Sequence, residues 1–186
     1  MDKAQGSVHS SFWSNLFKQA PKSNELLELI KEIPPFISLP KKSLKALLQI
    51  VHHRNYISGE HIFYQGDPGL GLYIILEGEV NIQYFSPKGK KVTLANMSNG
   101  DFFGELALLD GEKRSASAVA NKDCKIAIIF KPDLDEYILK NTKDGVSILH
   151  GISKIIITRL RHLNNEFLLL HDSVIDDKEN SHELTN

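Results

Sequence analysis

One cysteine, one tryptophan, two methionines and a net charge of −1 in 186 residues set the first bounds on this chain. The single cysteine, Cys124, excludes an intrachain disulfide and suits a reducing compartment. Its setting, C-K-I-A-I-I-F, alternates as a strand does, so Cys124 reads as a small buried side chain rather than a reactive thiol. The near-neutral charge removes any general attraction to nucleic acid or anionic membrane. No apolar run approaches the roughly eighteen residues of a bilayer-spanning helix, and the N-terminus lacks the long apolar stretch of a signal peptide. A cytoplasmic location is expected.

The chain divides into three zones by its periodicity. Residues 1–32 read as helical: Ser11 can cap F-W-S-N-L-F, and L-L-E-L-I at 26–30 is a second amphipathic piece. Phe12, Trp13, Leu16 and Phe17 either pack on the domain or a partner, or face a membrane surface with Lys18 and Lys22. A further helix is expected over 41–52, started by Pro40 and ending near His52 and His53. From 54 to 130 the runs H-I-F-Y, L-Y-I-I-L, V-N-I-Q-Y-F, K-V-T-L-A and K-I-A-I-I-F are short and rich in β-branched and aromatic residues. Turn signals separate them, as in an all-β sandwich or barrel. Two of these, Asp67-Pro68-Gly69 and Pro87-Lys88-Gly89, read as turns without chemistry.

After Lys131-Pro132 the period is helical again. A short helix over 132–140 is expected to break at Gly145, and a long one to run from Val146 to Leu170, nearly 40 Å at ~1.5 Å per residue. Leu149, Ile152, Ile156, Leu160, Leu163, Phe167 and Leu170 recur at intervals of three and four, a stripe of coiled-coil type. Such a stripe is either laid on the β-domain or paired with its own copy, and pairing is the favoured reading. Residues 171–186 are polar and acidic and are expected to be disordered.

The chemistry concentrates at 103–120, F-G-E-L-A-L-L-D-G-E-K-R-S-A-S-A-V-A. Gly104 lets the backbone approach a ligand, and the amides of Leu106 and Ala107 are donors at the start of a helical turn. Arg114 can fork onto a phosphate. Glu105 would repel that phosphate unless it accepts hydrogen bonds from elsewhere on the ligand, and sugar hydroxyls serve. A ligand with both groups is a nucleotide.

This segment closely resembles the phosphate-binding cassette of the cyclic nucleotide-binding domain family, and the resemblance covers roughly residues 33–170. It also includes I-P-P-F-I-S-L at 33–39, S-G-E-H-I-F-Y-Q-G-D-P-G at 58–69 and L-Y-I-I-L-E-G-E-V at 72–80, in the family's order. The resemblance implies a mainly β fold with flanking α: an eight-stranded jelly roll at 54–130, with N-terminal helices and a long C-terminal helix within 132–170. It implies a ligand site of Phe103, Gly104, Glu105, Leu106, Ala107, Arg114, Ser115 and Ala116. Glu105 would hold the ribose 2′-hydroxyl, Leu106 and Ala107 would give amides to the phosphate, and Arg114 would neutralise its charge. Ser115 stands where family members carry a residue touching the phosphate. A threonine there is the usual mark of cGMP preference, so the serine leans the reading to cAMP.

The resemblance gives the purine a lid in the C-terminal helix, with Arg159, Arg161, Asn164 and Asn165 where base-capping residues occur in relatives. All four equally suit the solvated side of a dimer helix. Family members that read DNA add a winged helix-turn-helix, kinase regulatory subunits add a second nucleotide domain and an arginine-rich inhibitor segment, and channels add six membrane helices. None of these is visible, so the expectation is a stand-alone sensor with no direct DNA binding and an unidentified effector. A degenerate domain kept only for interaction is the alternative.

Jelly rolls also include cupin-type metalloenzymes, which need clustered histidines with a glutamate. His52, His53 and His61 come nearest, but the first two adjoin an expected helix end and the third begins a strand. No nucleophile elbow, Walker loop or carboxylate pair suited to hydrolysis is present either. Binding without metal, cofactor or turnover is the expectation.

Overall fold

The structure is a computed structural model, and it describes residues 23–109 and 111–183. The F-W-S-N-L-F helix expected from Ser11, with Phe12, Trp13, Leu16 and Phe17, lies outside the described residues. Helix α1 (Ser23–Glu32) and helix α2 (Lys41–Leu47) precede eight strands. These are β1 (Val51–Tyr56), β2 (His61–Phe63), β3 (Gly71–Glu77), β4 (Val80–Phe85), β5 (Lys91–Met97), β6 (Phe102–Phe103), β7 (Ser117–Ala120) and β8 (Cys124–Phe130). Helices α3 (Lys131–Lys140) and α4 (Thr142–Glu183) close the chain.

The strands form two antiparallel four-stranded sheets, ordered β1-β8-β3-β6 and β2-β7-β4-β5. This is the expected jelly roll with flanking helices. The first sheet is covered on both faces, which explains why β3 and β8 read as continuous apolar runs. Leu72, Ile74, Leu76, Ala127 and Ile129 face the helices and join Leu26, Ile30, Phe36 and Leu47 in one core. Tyr73, Ile75, Ile126, Ile128 and Cys124 face the roll and meet Val80, Phe103, Ala118 and Ala120 in the other. Cys124 is buried, as its strand setting suggested.

Three boundaries differ from those expected. Helix α2 ends at Leu47, a 3-10 turn covers Leu48–Ile50, and His52 and His53 lie within β1. The register of β1 on β8, from Val51↔Ile129 to Tyr56↔Cys124, takes both histidines into the sheet. Gly145 does not break a helix. The break falls at Asn141 (φ −129, ψ 63), and Gly145 sits inside α4 where the Ile138 side chain would lie 2.6 Å from a Cβ. Finally, α4 runs on to Glu183, through most of the 171–186 stretch for which disorder was expected. Those residues contain no glycine or proline, so nothing in the backbone chemistry stops the helical ladder.

The first turns of α4 are firmly seated. Ile148, Ile152 and Ile155 are buried, and Gly151 packs against Pro34 and Pro35. The Tyr137 hydroxyl lies 3.1 Å from the Ser43 carbonyl and 2.8 Å from the Asp144 carboxylate, joining α3 to α2 and α4. Burial, reinforced by Asp144, pushes that phenol up to about 12.

Candidate functional site

The site begins where β6 ends. Gly104 has φ +79, in the left-handed region that favours glycine, and a Cβ there would meet Arg114 Nη1 at 2.7 Å and the Gly71 carbonyl at 2.9 Å. The chain then enters a 3-10 turn, Leu106–Leu108, in which the Leu108 amide bonds the Glu105 carbonyl at 3.0 Å and the Leu109 amide bonds that of Leu106 at 3.0 Å. The amides of Leu106 and Ala107 precede these and are not used by the turn's own ladder, as at any helical start. Glu105 is 1% exposed. Its Oε1 accepts from Arg159 Nη1 of α4, and its Oε2 has no hydrogen-bond partner among the described residues.

Arg114 is 7% exposed. Its Nη1 donates to the Gly104 carbonyl at 3.1 Å and its Nη2 to the Gly71 carbonyl at 2.9 Å, while its Nε has no partner among the described residues. The guanidinium lies over the Phe63 ring at 4.3 Å and the Tyr73 ring at 5.3 Å, and Phe103 stacks on Tyr73 at 5.4 Å. Burial pushes the guanidinium below its ordinary range, opposed by Tyr73, Glu105 and Asp67. Asp67-Pro68-Gly69 proves to be more than a turn. The Arg114 amide bonds the Asp67 carbonyl at 2.8 Å, Gly66 donates to the Arg114 carbonyl at 2.8 Å, and Gly69 to the Glu112 carbonyl at 3.0 Å. That loop fixes the backbone that presents Arg114.

These groups open on a cleft of ≈ 450 Å³. Phe103, Gly104, Glu105, Leu106, Arg114, Ser115 and Ala116 line one side of it, and Phe63, Ile82, Ala95 and Met97 supply an apolar wall. Arg159 also lines it, whereas Arg161, Asn164 and Asn165 are exposed on α4 and line no part of it. Sequence reasoning missed Gly71, Phe63 and Tyr73, the acceptor and the two rings that hold Arg114. Gly71 carries a visible signal only in retrospect: it has no room for a Cβ, which would lie 2.5 Å from the Ile129 carbonyl.

The histidines are dispersed. His52 bonds Asp133 at 2.9 Å, His61 stacks on Tyr64 at 4.2 Å, and no group of three or more metal-ligating side chains occurs among the described residues. No helix among them is long and apolar enough to cross a membrane.

The jelly roll thus presents a buried carboxylate and a buried arginine to one cleft. Residues 53–141 belong to the cyclic nucleotide-binding domain family, whose model matches them. The chain is 34% identical over 141 residues to the cyclic AMP receptor protein of Thermus thermophilus, covering 76% of this chain and 63% of that one. It is 34% identical over 104 residues to a cAMP-dependent protein kinase regulatory subunit of Colletotrichum orbiculare, covering 56% and 26%. Among solved structures, a cyclic nucleotide-binding domain from Methylobacillus flagellatus superposes with a TM-score of 0.67 at 27% identity, over 75% of this chain and 78% of that one. The chain thus spans less than two thirds of both curated relatives.

Proposed function

We propose that this domain is a non-catalytic sensor of a cyclic purine mononucleotide, cAMP in preference to cGMP. The observation that carries the reading is the pairing, in one cleft, of two buried polar atoms with no partner among the described residues: Glu105 Oε2 and Arg114 Nε. A buried carboxylate oxygen and a buried guanidinium nitrogen without partners are costly, and a ligand that both accepts and donates repays that cost. In this reading a ribose 2′-hydroxyl donates to Glu105, and the cyclic phosphate takes Arg114 together with the amides of Leu106 and Ala107 and the Ser115 hydroxyl. The purine then lies along Phe63, Ile82, Ala95 and Met97. The curated relatives above carry cyclic AMP in their names, which supports the choice of ligand.

Signalling would run through α4, because a ligand shifts a helix only by binding one arrangement better than another. Arg159 puts that helix at the cleft.

Calorimetry on Arg114→Lys tests the reading. The lysine keeps the charge but loses the planar fork, and affinity should fall by about 1.5–3 kcal/mol, the range for charge-assisted bonds. Undiminished affinity in a folded variant removes Arg114, and the cassette with it, from the site. Nucleotide recovered unchanged after long incubation is the matching expectation for absence of turnover.

A further inference from the structure

The apolar stripe of α4 wants a cover, but its spacing says nothing of the cover's direction. Val146, Leu149, Leu160, Leu163 and Phe167 are exposed along it, and a second α4 would close over them equally well running alongside or running backwards. Charge separates the two. Between Thr142 and Arg161 the helix carries Lys143, Lys154, Arg159 and Arg161 against Asp144 alone, and Asp144 accepts from the Tyr137 hydroxyl. From Asp172 to Glu183 the balance reverses, with Asp172, Asp176, Asp177, Glu179 and Glu183 against Lys178. The basic end is broader than the helix itself. The bond from Tyr137 to Ser43 brings α2 beside the start of α4, and α2 adds Lys41, Lys42 and Lys45, all exposed.

We propose that α4 pairs with a second copy of this chain in the antiparallel sense. With Leu160 set level with Leu163 of the copy, the same register brings Ile156 level with Phe167 and Leu149 level with Val174, so each of these apolar positions meets another. It also lays the 172–183 stretch of one protomer along the basic start of α4 in the other, twice over by the two-fold axis. A parallel pair covers the same apolar residues but sets each of those carboxylates beside its own copy. The worst placed is Asp177, which the three-and-four spacing puts in the stripe after Leu170 and Val174, and which in a parallel seam would oppose itself. In the antiparallel register it comes level with Val146, one turn from Lys143.

Cross-linking reads the direction. Cys124 is buried, so the wild type is the control that forms no disulfide between chains. Chains carrying Leu149→Cys, mixed with chains carrying Val174→Cys and mildly oxidised, should give a cross-linked heterodimer. Val174→Cys alone should give none, because its two copies would lie about 37 Å apart along the seam at ~1.5 Å per residue, far beyond the reach of a disulfide. A cross-linked Val174→Cys homodimer would show a parallel seam and overturn the proposal. So would a dimer in which no combination of these variants closes, or a wild type that sediments as a monomer at high micromolar concentration. The triple variant Asp176→Asn, Asp177→Asn, Glu179→Gln then reads the cause by sedimentation equilibrium. Its dimer should dissociate about tenfold more readily than the wild type, since attractions across the seam are removed in both halves. A parallel seam would lose repulsions instead, so an unchanged or tighter dimer on neutralisation overturns the assignment.

Discussion

Helix α4 is one continuous element with two different lives. Between Thr142 and Ile156 it is part of the domain: Ile148 and Ile152 are fully buried in the helical core, and Gly151 sits against the Pro34-Pro35 corner. From Ile157 to Leu169 it keeps the same apolar period, yet Leu160, Leu163, Phe167, Leu168 and Leu169 are all exposed. The difference is not in the helix. It lies in what the rest of the chain offers, because α1, α2 and the outer face of β3 and β8 extend only as far as Ile156. Amphipathic periodicity reports that a face wants covering, and only the tertiary arrangement says which part of it is covered.

The sharpest way to break this comparison is to delete volume on each side of it. Ile152, at 0% exposure, should cost about 2–5 kcal/mol when replaced by alanine, read as the change in denaturant midpoint. Leu163→Ala, at 61% exposure, should change the stability of the roll by no more than about 0.5 kcal/mol. Equal losses would mean that the two halves are covered alike. A smaller but more pointed effect is expected at Gly151. Alanine is the better helix former by about 1 kcal/mol, which alone would stabilise. Here its Cβ would lie 2.5 Å from Pro35 Cα and 2.6 Å from the Pro34 carbonyl, both backbone atoms. The helix must back away from the corner, and Gly151→Ala should destabilise by about 1–3 kcal/mol. A raised melting temperature would show that the corner yields freely.

The same contrast explains what could be read in advance. Strand content followed from short β-branched runs between turn signals, although of the pairings in the two sheets only that of β4 with β5 joins consecutive strands. The cassette was legible because Gly104, Glu105 and Arg114 are close in sequence and chemically ill-assorted unless a ligand joins them. What the sequence hid is all long-range. Gly71 accepts from Arg114 across 43 positions, and Phe63 and Tyr73 lie beneath its guanidinium from different strands. Arg159 was one of four candidates on the long helix, and only the placement of that helix against the roll separates it from Arg161, Asn164 and Asn165. The end of α2 was misjudged for a related reason: V-H-H-R-N-Y carries no clear period of its own, and its strand state comes from pairing with β8.

The exposed half of α4 offers the last and smallest effect on folding, together with the clearest change in assembly. Leu149, Ile156, Leu160, Leu163 and Phe167 keep coiled-coil spacing, and a second copy of the helix is the natural cover for a symmetric seam of this kind. The site for testing it must be chosen with the comparison in mind. Ile156 packs against the helical core, so a charge there would damage the fold as well as any seam. Leu160 and Leu163 lie beyond that core and are both exposed. The double variant Leu160→Glu, Leu163→Glu should leave the chemical stability of the isolated domain within about 0.5 kcal/mol, because surface substitutions seldom do more. If α4 pairs with its copy, the wild type should scatter light as a dimer at micromolar concentration and melt at a temperature that rises with concentration. The variant should scatter as a monomer and lose that concentration dependence, since four glutamates would face one another across the seam. A wild type that stays monomeric at high micromolar concentration, with and without cAMP, would leave Arg159 as the route by which the helix reports on the cleft.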